Sequence, residues 1–212
     1  PFERFCSGLS AARTHREISL MKIVDTVRQD LRLRTADHHA RVDELISRHD
    51  LTRPEGLAAF LAINHLAYTT IERHLRPHGG FALPHLPLEE IEADLASLGA
   101  GIPTWQAEPS MEAAHPVGII YVIAGSRLGG TVLHKRWQQA DDSNVRLAGR
   151  FLSQMTDRSC WTDFLVQVSN AQISQSEFID IVESAKGCFS IFEAACQDVT
   201  RKFAYDPPQP RN

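Results

Sequence analysis

The chain has 212 residues, with 22 Lys and Arg against 26 Asp and Glu and a formal net charge of −4. Hydrophobic residues make up 43% and charged residues 23%, a composition that is typical of a globular protein and excludes a disordered or collagen-like chain. The sequence pI is near 6.2, so the basic excess that marks proteins built to hold nucleic acid is missing.

No uninterrupted apolar run reaches the length of a membrane span, because the longest, residues 117–133, contains Ser126 and Arg127. The four cysteines, at positions 6, 160, 188 and 196, form no CxxC pair, which favours a reducing cytoplasm over a secreted disulfide framework. Residues 1–20 lack the apolar segment of a secretory signal. They are assigned to an N-terminal extension that need not be native.

Helical periodicity dominates the chain after Met21, since apolar residues recur at three- and four-residue intervals between prolines and glycines. Thr35 is predicted to cap a helix starting near residue 38, and Asp141-Asp142 is predicted to be a loop at a helix end. Further helices are predicted over residues 57–75, 88–98, 116–140, 151–155, 161–168 and 177–203. We expect one all-α domain of about eight helices over residues 21–205, followed by a polar tail at 206–212.

One predicted helix carries an unusual concentration of glycine. Gly125, Gly129 and Gly130 are spaced i, i+4 and i+5, which predicts that they share one helix face. Each costs roughly 1 kcal/mol relative to alanine in a helix interior. Two interpretations remain open at this stage: close packing of another helix, or a planar ligand lying against the exposed backbone, with Ser126 offering a hydroxyl to it.

A second segment, residues 31–43, places His39 and Asp43 at i and i+4. In a helix the carboxylate can accept the N–H of the imidazole ring and leave the other nitrogen free to bind a metal. Arg32 lies two turns back on the same side, where it could meet an anionic group of a ligand. The alternative interpretation is a surface histidine with a solvated ion-pair partner.

Taken together, these segments resemble the heme oxygenases, and more closely the bacterial type found beside phytochrome photoreceptors. The resemblance spans about residues 22–203. The histidine helix of that family carries a pattern that is matched by Leu31, Arg32, Thr35, His39 and Asp43. Its glycine helix carries G-x-x-x-G-G, as residues 125–130 do, and its last helix carries elements matched by Ala185, Lys186, Phe189, Phe192 and Glu193.

The resemblance implies that His39, rather than His38, is the axial ligand of a heme iron. It implies that Gly125, Ser126, Gly129 and Gly130 lie on the opposite, catalytic side of the heme. Arg32, Asp43, Tyr121 and Phe192 are implied to surround it. The implied fold is the heme-oxygenase-like helical bundle. The implied activity is cleavage of heme to biliverdin with release of carbon monoxide and iron, with electrons from an external reductant such as ferredoxin and a bacteriophytochrome as acceptor of the bilin.

The sequence also departs from the family. Ser126 stands where the animal-type enzymes have an aspartate, Ile120 stands at the position of an animal-type tyrosine, and residues 161–168 contain no clear match to the basic residues that hold the heme carboxylates. A non-catalytic carrier of heme or bilin is therefore a second hypothesis. A di-iron or thiamine-degrading enzyme of the same architecture is a weaker one, because no convincing ExxH ligand set is present. The last hypothesis is a plain helical scaffold protein.

Overall fold

The computed structural model describes the backbone of residues 7–75, 81–112 and 114–205 and the side chains of residues 27–75, 81–112 and 114–202. Within these ranges the chain forms eight helices and no strand, which confirms the predicted all-α class. The helices are α1 (Ser7–Ser47), α2 (Pro54–His74), α3 (Leu88–Ser97), α4 (Pro116–Trp137), α5 (Ser143–Leu147), α6 (Arg150–Gln154), α7 (Ser159–Asn170) and α8 (Gln175–Tyr205).

The first helix differs from the prediction, because α1 runs through Thr35 without a break. The Thr35 hydroxyl is buried and donates to the carbonyl of Leu31 at 2.8 Å, one turn back in the same helix. A threonine hydroxyl that bonds to the helix behind it does not cap a new one. Residues 7–20, assigned to an extension from the sequence, are helical in α1, whereas residues 1–6 and the predicted tail at 206–212 lie outside the described residues.

The predicted boundaries of the other helices hold to within a few residues. Pro54 occupies the first turn of α2, where its missing N–H costs nothing. Gly99 follows α3 with a φ of 69°, the left-handed conformation that often ends helices. Asp141 and Asp142 were predicted to form a loop at a helix end. They also precede a new helix, because the Asp142 carboxylate accepts from the backbone N–H groups of residues 144 and 145 and caps α5.

The long C-terminal helix α8 is the centre of the bundle. It packs against α1, α2 and α4, while α7 covers α4 and α1, and α3 and α6 close the bundle beside α2 and α4. Buried residues recur along α8 at three- and four-residue intervals, so its apolar stripe faces several neighbours. They include Ile181, Val182, Ala185, Cys188, Phe189, Phe192, Ala195, Cys196 and Val199.

The glycine-containing helix α4 is long and apolar enough to cross a membrane by length and composition. More than half of its apolar stretch, 56%, is buried against the rest of the bundle. Its charged residue Arg127 is also buried and donates to two backbone carbonyls. A core helix of the bundle accounts for this composition.

Candidate functional site

The histidine–carboxylate contact predicted on α1 is present. Nδ1 of His39 lies 3.0 Å from Oδ2 of Asp43, and 57% of the His39 side chain is exposed. The imidazole meets the edge of Phe189 on α8, with ring centroids 5.7 Å apart. Because Nδ1 faces the carboxylate, Nε2 is the nitrogen available to a metal. It has no partner among the residues that the structure describes.

The adjacent histidine has different surroundings. Nδ1 of His38 lies 3.1 Å from Oε1 of Glu193 on α8, and Arg41 donates to the same carboxylate at 3.3 Å. Only 24% of the His38 side chain is exposed. His38 therefore takes part in the contact between α1 and α8, while the His39 ring faces outward beside it.

Side chains of the histidine helix surround the phenol of Tyr121 on the glycine helix. Burial raises the pKa of this phenol, and the Thr35 hydroxyl and the positive charges of Arg32 and Arg28, all on α1, oppose the rise. Two arginines of α1 thus lie near the Tyr121 hydroxyl, at the edge of the space between the two helices.

Thr35 precedes His39 by one turn of α1, and Tyr121 precedes Gly125 by one turn of α4. The histidine motif and the glycine motif therefore both lie one turn beyond the place where Thr35 and Tyr121 approach each other. Along α1, Arg34 lies over the ring of Phe178 and His39 meets Phe189, so α1 and α8 advance in the same direction.

The glycine helix advances along α8 in that direction too. Gly118 lies against the backbone of Ile181, and eight residues later Ser126 lies near Tyr68, which packs edge-on against Phe192. The helices α1 and α4 therefore run roughly parallel, with His39 one turn beyond Thr35 and Gly125 one turn beyond Tyr121.

Two of the predicted site glycines leave the backbone of α4 open. A Cβ placed on Gly129 would meet no atom within 4 Å, and one on Gly125 would meet only the ring of Trp161, at 3.8 Å. The neighbouring side chains on this part of the helix are apolar and exposed, 40% for Leu128 and 54% for Val132. This surface, formed by residues 125, 128, 129 and 132, is called the open face below.

Gly130 does not belong to the open face, which corrects the prediction that all three glycines share one side. A Cβ on Gly130 would lie 2.0 Å from the carbonyl oxygen of Met155, a distance that no carbon can adopt. Gly130 therefore permits close approach of the backbone that follows α6. Close packing is confirmed at Gly130, whereas a planar ligand at Gly125 and Gly129, where the backbone is open, stays a prediction.

The Ser126 hydroxyl already has a protein partner. It donates to the carbonyl of Ile123 at 2.8 Å. Burial raises the pKa of the Tyr68 phenol on α2 to about 12, and the Ser126 hydroxyl is among the groups that oppose the rise, so the phenol stays protonated at neutral pH. Tyr68 had not been predicted as a site residue; its only sequence signal is a tyrosine within the apolar stripe of α2.

Two buried residues near Ser126 are Phe192 and Arg127. Phe192, implied by the resemblance to line a pocket, is buried and meets Tyr68 with ring centroids 5.8 Å apart. Arg127, for which the sequence indicated no partner, donates to the carbonyls of Gln154 and His85, each at 3.2 Å. It thereby holds α4 against α6 and the segment before α3.

A heme would need one axial nitrogen, a flat apolar surface and cations for its two carboxylates. The described residues that could supply them are His39 through Nε2, the open face with Trp161, and the arginines Arg28 and Arg32. Among the described residues no group of three or more His, Cys, Asp or Glu side chains could hold a metal ion, but a heme iron needs only one such ligand from the protein.

No model of a known protein family matches the chain, and no curated protein matches it.

Proposed function

We propose that the protein is a heme oxygenase, which cleaves heme to biliverdin and releases carbon monoxide and iron. The observation that supports this most strongly is the contact of His39 with Asp43, which leaves Nε2 of His39 available to iron. Neither this contact nor the glycine motif is specific alone. The folded chain has the carboxylate-paired imidazole on α1 and an open, apolar backbone surface on α4.

In this proposal heme is the substrate, and when bound it supplies the redox chemistry and the site for dioxygen. His39 Nε2 would bind the iron, and Asp43 would hold the ring through Nδ1 and raise the basicity of the ligand. The Phe189 ring limits rotation of the imidazole. Arg28 and Arg32 would interact with the heme carboxylates and so orient the disc.

The open face would leave room on the other side of a bound heme. Neither Gly125 nor Gly129 has a Cβ, and the nearest side chain is the ring of Trp161 beside Gly125. Ser126 stands next to Gly125, and its hydroxyl could anchor water close to the open face. Ser126 cannot ionise at neutral pH; it organises water and does not itself titrate.

Further parts of the proposal rest on the resemblance alone. They are an external electron donor such as ferredoxin, a bacteriophytochrome that accepts the bilin, and location in the cytoplasm. The chain contains no nucleotide- or flavin-binding motif, so the electrons are expected from another protein.

A second candidate function is a carrier that binds heme or bilin without turnover. The observation that favours it is the engagement of Ser126, whose hydroxyl donates to the carbonyl of Ile123. No carboxylate lies within one turn of Ser126 in α4, so this part of the helix offers no acidic side chain to relay a proton.

One titration separates these possibilities. Hemin is added to the purified chain until the Soret absorption saturates, and ascorbate, or ferredoxin with its reductase, is then supplied in air. We expect a saturating Soret band followed by its loss, with the absorption of biliverdin and stoichiometric carbon monoxide. A stable Soret band without bilin would favour the carrier. Failure to bind hemin would refute both functions.

A further inference from the structure

A groove of about 310 Å³ lies where α1 passes the junction of α7 and α8. Most of its lining side chains are apolar: Val27 of α1, Val168 of α7, Ala171 and Ile173 of the connecting segment, and Phe178 of α8. Its volume is at the lower end of the range of small-molecule sites. None of its lining residues belongs to the proposed heme site, so the groove is a separate feature of the bundle.

An arginine without an ion pair lies on the Phe178 side of the groove. Cζ of Arg34 is 5.7 Å from the centre of the Phe178 ring, and Arg34 is exposed. Because Arg34 follows Val27 by seven residues, the two lie on the same side of α1, about 10 Å apart. Among the described residues no carboxylate lies within ion-pair distance of Arg34, and this includes Asp30 and Asp37, its neighbours one turn away.

The end of the groove at the start of α8 is unfavourable for a negative group. The Ser174 hydroxyl accepts from the backbone N–H of Glu177, and the Glu177 carboxylate accepts from the backbone N–H of Ser174. This reciprocal cap engages two backbone donors and places a carboxylate beside them. An anionic group would therefore be repelled at this end and attracted by the Arg34 guanidinium.

Apolar walls with one unpaired cation suit an amphipathic molecule that carries a single negative charge. An apolar chain in the groove would be removed from water, which is favourable in proportion to the apolar area that becomes buried. A carboxylate at the rim could accept two parallel N–H bonds from the Arg34 guanidinium. Apart from Phe178, over which that guanidinium already lies, the apolar lining side chains are aliphatic, so the walls favour an aliphatic chain.

We propose that this groove binds a medium-chain aliphatic carboxylate. The chain packs against Val27, Val168 and Phe178, and the carboxylate accepts from the guanidinium of Arg34. This binding does not depend on the proposed heme oxygenase activity, so either proposal can fail without the other.

The test compares probes that differ in the head group or in the chain. Octanoate, octylamine and butanoate are titrated separately into the full chain, labelled with ¹⁵N and with ¹³C in its valine methyl groups. The resonances of the Arg34 Nε–H and of the methyl groups of Val27 and Val168 are followed. We expect saturable shifts with octanoate. Octylamine should bind at least about 10-fold more weakly, because its cation cannot pair with Arg34, and so should butanoate, because it buries four fewer methylene groups.

Three results of these titrations would overturn the proposal. They are equal affinities for octanoate and octylamine, the absence of saturable shifts up to millimolar octanoate, and shifts that are confined to residues outside the groove.

A variant locates the carboxylate at Arg34. Arg34→Gln should weaken octanoate binding about 10-fold, the effect of losing a hydrogen bond between charged groups, and should not weaken octylamine binding. The matched control Arg146→Gln, at an exposed arginine on α5, should leave octanoate binding unchanged. Wild-type octanoate affinity in Arg34→Gln would contradict the proposal. The comparison of the probes needs no variant, so it stands even if Arg34→Gln folds poorly.

Discussion

Nδ1 of His39 lies 3.0 Å from Oδ2 of Asp43, one turn further along α1. This contact leaves Nε2 of His39 as the nitrogen that can bind a metal. The glycine motif that the proposed function combines with it stands more than 80 residues later in the sequence.

Replacing His39 by alanine should abolish the histidine-ligated heme spectrum, because Nε2 of His39 is the proposed ligand. His38→Ala is the matched control, since the His38 imidazole is engaged by Glu193. Absorption spectra after hemin addition give the comparison. If the outcomes of the two variants were exchanged, His38 would be the ligand.

Asp43→Asn should weaken hemin affinity or bilin formation about 10–100-fold, the usual effect of losing a carboxylate that orients a metal-binding histidine. The variant keeps the size of the side chain and removes its charge. Hemin titration and single-turnover assays measure the two quantities. An unchanged variant would mean that the contact with His39 is only a solvated surface pair.

Alanine at the two neighbouring glycines should have opposite effects on stability. Gly129→Ala should raise the free energy of unfolding by up to about 1 kcal/mol, because its Cβ enters open space. Gly130→Ala should lower it by about 1–3 kcal/mol or more, because its Cβ would collide with the Met155 carbonyl. Urea unfolding of the heme-free chain tests both.

Leucine at Gly129 extends this test to the ligand. Gly129→Leu should leave the heme-free fold intact, because no atom lies within 4 Å of the new Cβ, but should reduce bilin formation from bound heme. Normal bilin yield in this variant would show that the open face does not face the reacting side of the heme.

Ser126→Ala should slow bilin formation by less than about 10-fold, because one neutral hydrogen bond contributes about 0.5–1.5 kcal/mol and water can take the place of the hydroxyl. Ser126→Asp should still bind heme, since its carboxylate would lie near the protonated Tyr68 phenol. Single-turnover conversion of the oxygenated complex is the measurement. Complete loss of turnover in Ser126→Ala would make the hydroxyl indispensable.

The buried Tyr68 phenol should make the fold sensitive to alkaline pH. Its pKa rises from the ordinary value of 10.0 to about 12 because burial disfavours the phenolate. The folded state therefore holds this proton more tightly than the unfolded state does. The resulting stability is fully present below pH 10 and is lost as the pH rises towards 12. Tyr68→Phe should lose less stability than wild type between pH 9 and pH 11.5, measured by urea unfolding.

Local sequence determined most of the helices and one contact of the site. The positions of α2, α3, α4 and α8 follow from apolar spacing and from flanking breakers, which act within a few residues. The His39–Asp43 contact follows from helix geometry, which brings any i, i+4 pair to the same side. Thr35 was wrongly predicted as a cap, because its hydroxyl can either start a helix or bond back into one, and burial of α1 selected the second.

Only the tertiary structure decided which glycine is open and which is packed. Gly129 and Gly130 are adjacent and identical in chemistry, yet one meets solvent and the other the Met155 carbonyl. The residues that neighbour Ser126 and Arg127 could not be predicted from the sequence either, because Tyr68, Gln154 and His85 come from distant segments. Helix periodicity specifies which side a residue occupies on its own helix, but the neighbour on that side depends on how all the helices pack together.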